Sequence, residues 1–235
     1  MKSRSLPLSS LDADDAAGHL ANLLGSLAPV PQTVLLIADN YHPLLRKLKR
    51  RLPNVAWRTL SEPVAPAEPF RLPLADRETD AVVVVDVIAS LPRERRPGLV
   101  REALRIARRD ALIAAPLGTD LQRLIEESLT RFHRQLLGTD HPWLAAHLAF
   151  GLPTPDEAFS WVRHGEDADM FYAGDVIAYQ RMAEHVIRSA PSGHIATLLA
   201  QVSKHLLFIT GRTELDLETV PMRRHRRLYL HLRRA

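Results

Sequence analysis

Residues 72–116 read LPLADRETDAVVVVDVIASLPRERRPGLVREALRIARRDALIAAP, and the order of patterns inside this stretch decides the fold. AVVVV at 81–85 is a continuous apolar run between Asp80 and Asp86, as expected of a strand covered on both faces. The spacing over 93–109, with Leu99, Ala103, Leu104 and Ala107 on one side, predicts an amphipathic helix. ALIAA at 111–115, closed by Pro116, predicts the next buried strand. A strand, a helix and a strand in that order indicate a parallel sheet with helices packed on it.

The pattern continues upstream. Ser10 or Asp12 can cap a helix running to about Leu27, with Leu20, Leu23, Leu24 and Leu27 on one face, and Pro29 and Pro31 break it. TVLLI at 33–37 is a second continuous apolar run, followed by a basic helix opened by Pro43 and reaching about Leu52. A strand is expected over 55–60. A connection stiffened by Pro63, Pro66, Pro69 and Pro73 then returns to the opening stretch.

Composition narrows the class. The chain has 235 residues, 46% hydrophobic and 25% charged, which suits one large globular domain. No cysteine is present, so disulfides and thiolate metal sites are excluded and a cytoplasmic setting is expected. The N-terminal residues lack the apolar run of a signal peptide, and no stretch reaches the length of a membrane span. The 11 histidines show no ligand spacing, so no metal is expected. Six of the positive charges lie in the last residues, at Arg223, Arg224, Arg226, Arg227, Arg233 and Arg234; removing six from the formal +4 leaves −2 elsewhere. Such a terminus can seek phosphate. The preferred reading is a last strand through Leu228, Tyr229, Leu230 and Leu232, with the arginines solvating its outer face and ends.

The opening stretch resembles the middle of a class I S-adenosylmethionine (SAM)-dependent methyltransferase, in which an LPF-type motif precedes a strand, an aspartate follows it, and a helix and strand come next. VLLIADNYHPLLRKLKRRLPN at 34–54 sits where that family has VLDVGCGTG and a helix, and RFHRQLLGTDHPWLAAHLAFGLP at 131–153 is similar to a lid-like insertion of some bacterial members. The resemblance spans roughly residues 20–165. It implies a Rossmann-like α/β fold with a mostly parallel seven-stranded sheet, helices on both faces, a final antiparallel strand, and a helical insertion or extension. One domain over 1–235 is expected, with a cofactor-half core at about 28–117, a helical lid at 118–210 and a C-terminal strand with basic tail at 211–235.

In this fold the first strand feeds a glycine-rich turn, whose glycines take positive φ and let the backbone approach the cofactor. Laid over 34–42, the family motif puts Leu36 at its acid and Ala38, Asn40 and His42 at its three glycines. If SAM binds, the resemblance assigns it Ala38, Asp39, Asn40, Glu62 (ribose), Glu68 (adenine side) and Asp86; the family's following Glu-His is Ala89-Ser90 here. The central loop and its acid are replaced by bulkier groups while the peripheral positions persist. That implies a pseudo-methyltransferase serving as a binding or scaffold subunit, with SAM binding doubtful. The alternative is an active enzyme with a remodelled loop, methylating a small-molecule or glycan hydroxyl. No catalytic residue is assigned.

Tyr41 and His42 are either general-base candidates or, as preferred, plugs of the vacated cofactor space. His133, His141 and His147 fall in the lid segment, where an acceptor contact competes with a surface connection anchored by Trp143. Asp167, Asp169 and Asp175 around MFYAG miss the calcium-loop pattern. Helical spacing over 176–190 and 195–208, separated by Pro191-Ser192-Gly193, offers a domain-completing pair or an oligomer interface. A homo-oligomer or another protein is the expected partner, and nucleic acid bound by the arginine tail ranks last.

Overall fold

The computed structural model describes residues 8, 11, 13–38, 41–60, 71–189 and 217–234, without the side chains of residues 14, 41 and 42. Six described strands form one sheet: β1 (Thr33–Ala38), β2 (Ala56–Leu60), β3 (Thr79–Val85), β4 (Ala107–Pro116), β5 (Asp167–Asp175) and β6 (His225–Arg233). Their order is β2-β1-β3-β4-β6-β5. β1 runs parallel to β2 and β3, and β3 parallel to β4, while β6 is antiparallel to both β4 and β5. The α/β class and the antiparallel last strand expected from the sequence are therefore present. A seventh strand is not among the described residues.

The continuous apolar runs have the expected cause. Along β1, Leu35 and Ile37 join one core with Val82 and Val84 of β3 and Ile113 of β4, under helix α3 (Arg96–Ile106). Val34 and Leu36 join a second core with Val83, Leu112 and Tyr229, covered by α1 (Ala13–Ser26) and α2 (Tyr41–Arg51). Each strand supplies both faces, so no alternation shows in the sequence. A third cluster lies among α4 (Asp120–Leu137), α5 (Pro142–Phe150) and α7 (Val176–Ser189), where Ile125, Leu129, Leu144, Tyr179 and Ile187 meet. α6 (Pro155–Ser160) follows α5.

Local signals set the helix ends. Thr119 caps α4 by accepting from the backbone N–H of Gln122, and Gly138 closes it with φ 73°. Gly118 permits a close approach, since a Cβ there would lie 2.6 Å from the carbonyl oxygen of Leu152. α2 starts at Tyr41, two residues before Pro43, which still falls in the first turn where its missing N–H is not needed.

Two stretches depart from expectation. The helix predicted over 93–109 ends at Ile106, and β4 starts at Ala107, ahead of the expected ALIAA. Ala-Arg-Arg has helical propensity, but Ala107 pairs with Thr79, Asp110 pairs with Arg233, and Arg108 reaches Asp80 at 3.0 Å, so tertiary pairing prevails. The 118–210 segment, expected as helical, supplies β5 through DADMFYAGD. Asp167 and Asp169 there are ion-paired with Arg233, while Asp175 accepts from the N–H of Ile177 and Ala178 at the start of α7. Among the described residues no cluster suits a metal, and no helix is long and apolar enough to cross a membrane. The helix expected over 195–208 lies outside the described residues.

The approach to β3 is held by charge. The backbone N–H of Leu72 donates to Glu102 at 2.8 Å, and Arg105 joins Glu102, Asp76 and the carbonyl of Leu74. Burial alone would raise the Glu102 carboxyl, but the Arg105 guanidinium and the Leu72 N–H outweigh it and leave its pKa below the ordinary value. A depressed carboxylate contributes stability above its unfolded pKa, and that contribution is lost as pH falls through the folded value. Glu102→Gln is expected to flatten the acid limb of stability below about pH 4.3, read by urea unfolding across pH. Leu230→Ala, at a fully buried β6 position, is expected to cost about 2–5 kcal/mol in the same measurement at neutral pH.

Candidate functional site

From β1 the chain crosses to β2 on one side, and β3 lies on the other, so the sheet's topological switch point falls between β1 and β3. Ligands of such sheets bind outside the carboxyl ends of the strands at that point. Ala38 and Asp86 flank it, because Ala38 pairs with Val85 as the last rung of the β1–β3 ladder.

Ala38 is buried in the α1/α2 core as an ordinary strand residue. α2 begins at Tyr41, so residues 39 and 40 alone separate strand from helix. Among the described residues of 33–60, none has the positive φ that a glycine cradle uses. Asp39, Asn40, Glu62 and Glu68 lie outside the described residues, as do the side chains of Tyr41 and His42.

Asp86 follows the last residue of β3. It leaves β3 with φ 63°, a left-handed conformation that Asp tolerates, and turns the chain into a 3-10 turn at Val87–Ser90. Its backbone N–H donates to the carbonyl of Ala114 at 2.9 Å. Both carboxylate oxygens accept from Arg227 at the start of β6, Oδ1 from Nη1 at 2.6 Å and Oδ2 from Nη2 at 3.1 Å. Asp86 is 7% exposed and Arg227 2%. A bidentate, desolvated pair of this kind is strong and directional, so the carboxylate is committed to the protein.

Next along β6, Arg226 is 1% exposed, and its guanidinium lies over the Tyr179 ring at 3.5 Å from the centroid and 5.9 Å from that of Trp143. The arginines expected to solvate this strand are thus divided. Arg226 and Arg227 are interior, because β6 runs between β4 and β5 instead of along an edge. Arg224 and Arg233 are ion-paired with β5 carboxylates.

α4 and α5 lie over this end of the sheet, α5 packing on the 3-10 turn after Asp86. Glu126 accepts from Gln122 at 2.7 Å and from Nδ1 of His147 at 3.1 Å. With that proton on Nδ1, Nε2 of His147 faces away from Glu126 and has no hydrogen-bond partner among the described residues. The Trp143 ring lies 3.9 Å from the imidazole, centroid to centroid. A histidine oriented by a carboxylate is the arrangement of a general base, but this one is buried at 1% exposure. His133 bonds the carbonyl of Thr139 at 2.6 Å and meets the His141 ring edge-on, at the turn between α4 and α5. Sequence reasoning missed Gln122, Glu126, Tyr179 and the roles of Arg226 and Arg227. The readable signal was polar residues at 122, 126, 130 and 133, recurring on the face of α4 that also carries Ile125 and Leu129.

No protein-family model and no curated protein matches the chain. Among solved structures it is similar to a SAM-dependent methyltransferase of Thermotoga maritima, at 11% identity over 95% of this chain and 92% of that one, with a TM-score of 0.48. It is also similar to the plantazolicin methyltransferase BpumL solved with SAH, at 10% identity over 98% and 85%, with a TM-score of 0.46. The fold is that of the class I SAM-dependent methyltransferases. An antiparallel last strand, here set between β4 and β5, is what the sequence resemblance implied; likeness at these scores carries no argument about activity.

Ala38 continues a paired strand where the motif opens, and Asp86 is held by an arginine from the other end of the chain. Arg227→Met would strand the Asp86 carboxylate. It is expected to destabilise the protein by about 3–5 kcal/mol in denaturant titration, with the double variant Asp86→Asn/Arg227→Met recovering part of the loss.

Proposed function

We propose that this protein is a methyltransferase-fold binding or scaffold subunit that does not transfer methyl groups. The observation that carries the reading is the connection from β1 to α2. The strand is paired through Ala38 and the helix starts at Tyr41, leaving two residues, neither of them glycine, where the fold's cofactor cradle needs backbone that approaches without Cβ atoms. The Asp86–Arg227 pair supports it, since the acid that would face ligand at the switch point is engaged. On this reading the sheet and its helical cover present surfaces to a protein partner, another copy of the chain included.

One observation favours a second reading, SAM-dependent methylation of a small-molecule or glycan hydroxyl. His147, oriented by Glu126 and with Nε2 unpartnered among the described residues, has the chemistry to take a hydroxyl proton.

Calorimetric titration of the folded protein with SAM separates the two. No heat of binding is expected, and micromolar affinity would overturn the subunit reading. The second reading requires that affinity to persist in His147→Gln while methyl transfer to a hydroxylated acceptor is lost.

A further inference from the structure

The sequence places the excess positive charge at the C-terminus, but the fold moves it. Of the arginines there, Arg226 and Arg227 are interior, Arg224 pairs with Asp175, and Arg233 pairs with Asp167 and Asp169. Elsewhere, Arg58, Arg96, Arg105, Arg108, Arg123 and Arg134 each have a carboxylate partner. Of the cations without such a partner among the described residues, Arg46, Lys49, Arg50 and Arg51 lie within six consecutive residues of α2 and are exposed. The helix YHPLLRKLKRR carries no acid.

Neighbours at i+3 and i+4 share a helix face, so Arg46, Lys49 and Arg50 repel one another. The helix dipole favours Lys49, Arg50 and Arg51 in the last turn but gives no such support to Arg46, which lies a full turn earlier. The guanidinium of Arg51 lies against Gly18 of α1, 3.7 Å from where a Cβ would be, and so has a packing role. The other three are exposed and have no carboxylate partner among the described residues. Together with Leu45 they line a cleft of about 560 Å³.

We propose that this face of α2 docks an acidic segment of a partner protein that carries an apolar side chain between its carboxylates. Charge complementarity selects an anionic partner. The apolar element selects protein over nucleic acid: Leu45 and the alkyl stems of the flanking cations give the cleft an apolar floor, which a phosphate backbone leaves unused. Among the described side chains that line the cleft none is aromatic. The inference extends the binding-subunit reading, and its test uses no SAM, so either can fail without the other.

The test is fluorescence anisotropy with the full chain at low salt and three labelled probes. These are the peptide Glu-Glu-Leu-Glu-Asp-Leu-Glu-Glu, its counterpart with both leucines replaced by serine, and a thymidine oligonucleotide of equal charge. The leucine peptide is expected to bind, and to bind about tenfold more tightly than either other probe. Its affinity should fall about tenfold in Arg46→Gln/Lys49→Gln/Arg50→Gln and weaken in Leu45→Ser, with circular dichroism unchanged. No binding of the leucine peptide, equal binding of the serine peptide, equal or tighter binding of the oligonucleotide, or full affinity in the folded triple variant would each overturn the proposal. The probe comparison is made on the unmodified chain and holds even if a variant misfolds.

Discussion

The structure depends on β6 entering between β4 and β5 with its arginines already matched. Inserting a strand that reads HRRLYLHLR into the middle of a sheet places two guanidinium groups out of water, which is costly without partners. Arg227 finds its partner in Asp86, at the end of a strand 141 residues earlier, and Arg226 finds the rings of Tyr179 and Trp143 on the helices above. The pairing therefore ties three parts of the chain to one event. Among the described strands β5 reaches the sheet through β6, Asp86 fixes the turn out of β3, and the α4–α5–α7 cluster gains its contact with the strands. Non-local closure of this kind pays its loop entropy before its contacts form, which puts the completed sheet late in folding.

The same interaction bears on function. In a doubly wound sheet the switch point holds ligand because several carboxyl strand ends stop there and leave polar groups without internal partners. Here the sheet's own last strand supplies the partner: the Asp86 carboxylate receives a guanidinium in both oxygens, and the rung at Ala38 keeps β1 paired where the chain would otherwise open. Stability and ligand binding draw on the same groups, and at Asp86 stability holds them. Among the described residues, the buried polar atoms without a hydrogen-bond partner include some one layer higher, at His147, Gln122 and Trp143.

Much of the fold was legible because it rests on short-range pattern. β1 and β3 are unbroken apolar runs, and α1 ends before its prolines. The failures have one physical origin. Ala107–Asp110 and β5 take strand geometry from partners far away in the chain, and no local window contains those partners. The candidate site was legible in outline only. Ala38 and Asp86 stand where the motif placed them, but what Asp86 does follows from an arginine that reads, as a letter, no differently from a solvated one. Glu126 and His147 were obscured in the same way, since a charged residue on an amphipathic helix is assigned to water until a neighbouring helix removes the water.

This also limits what net charge says about partners. A formal +4 and a pI near 9.7 describe the chain before folding has paired its charges. Of the basic tail, two arginines are consumed in the interior and two by β5, so its apparent attraction for phosphate is largely spent within the molecule. What an approaching partner meets is the unpaired remainder, and among the described residues one dense group of it lies on α2, whose apolar face, Leu44 and Leu48, is already committed to the core. With that face packed inward, Arg46, Lys49 and Arg50 have no carboxylate partner among the described residues. Their field is directed at solvent, where it can act on a second molecule.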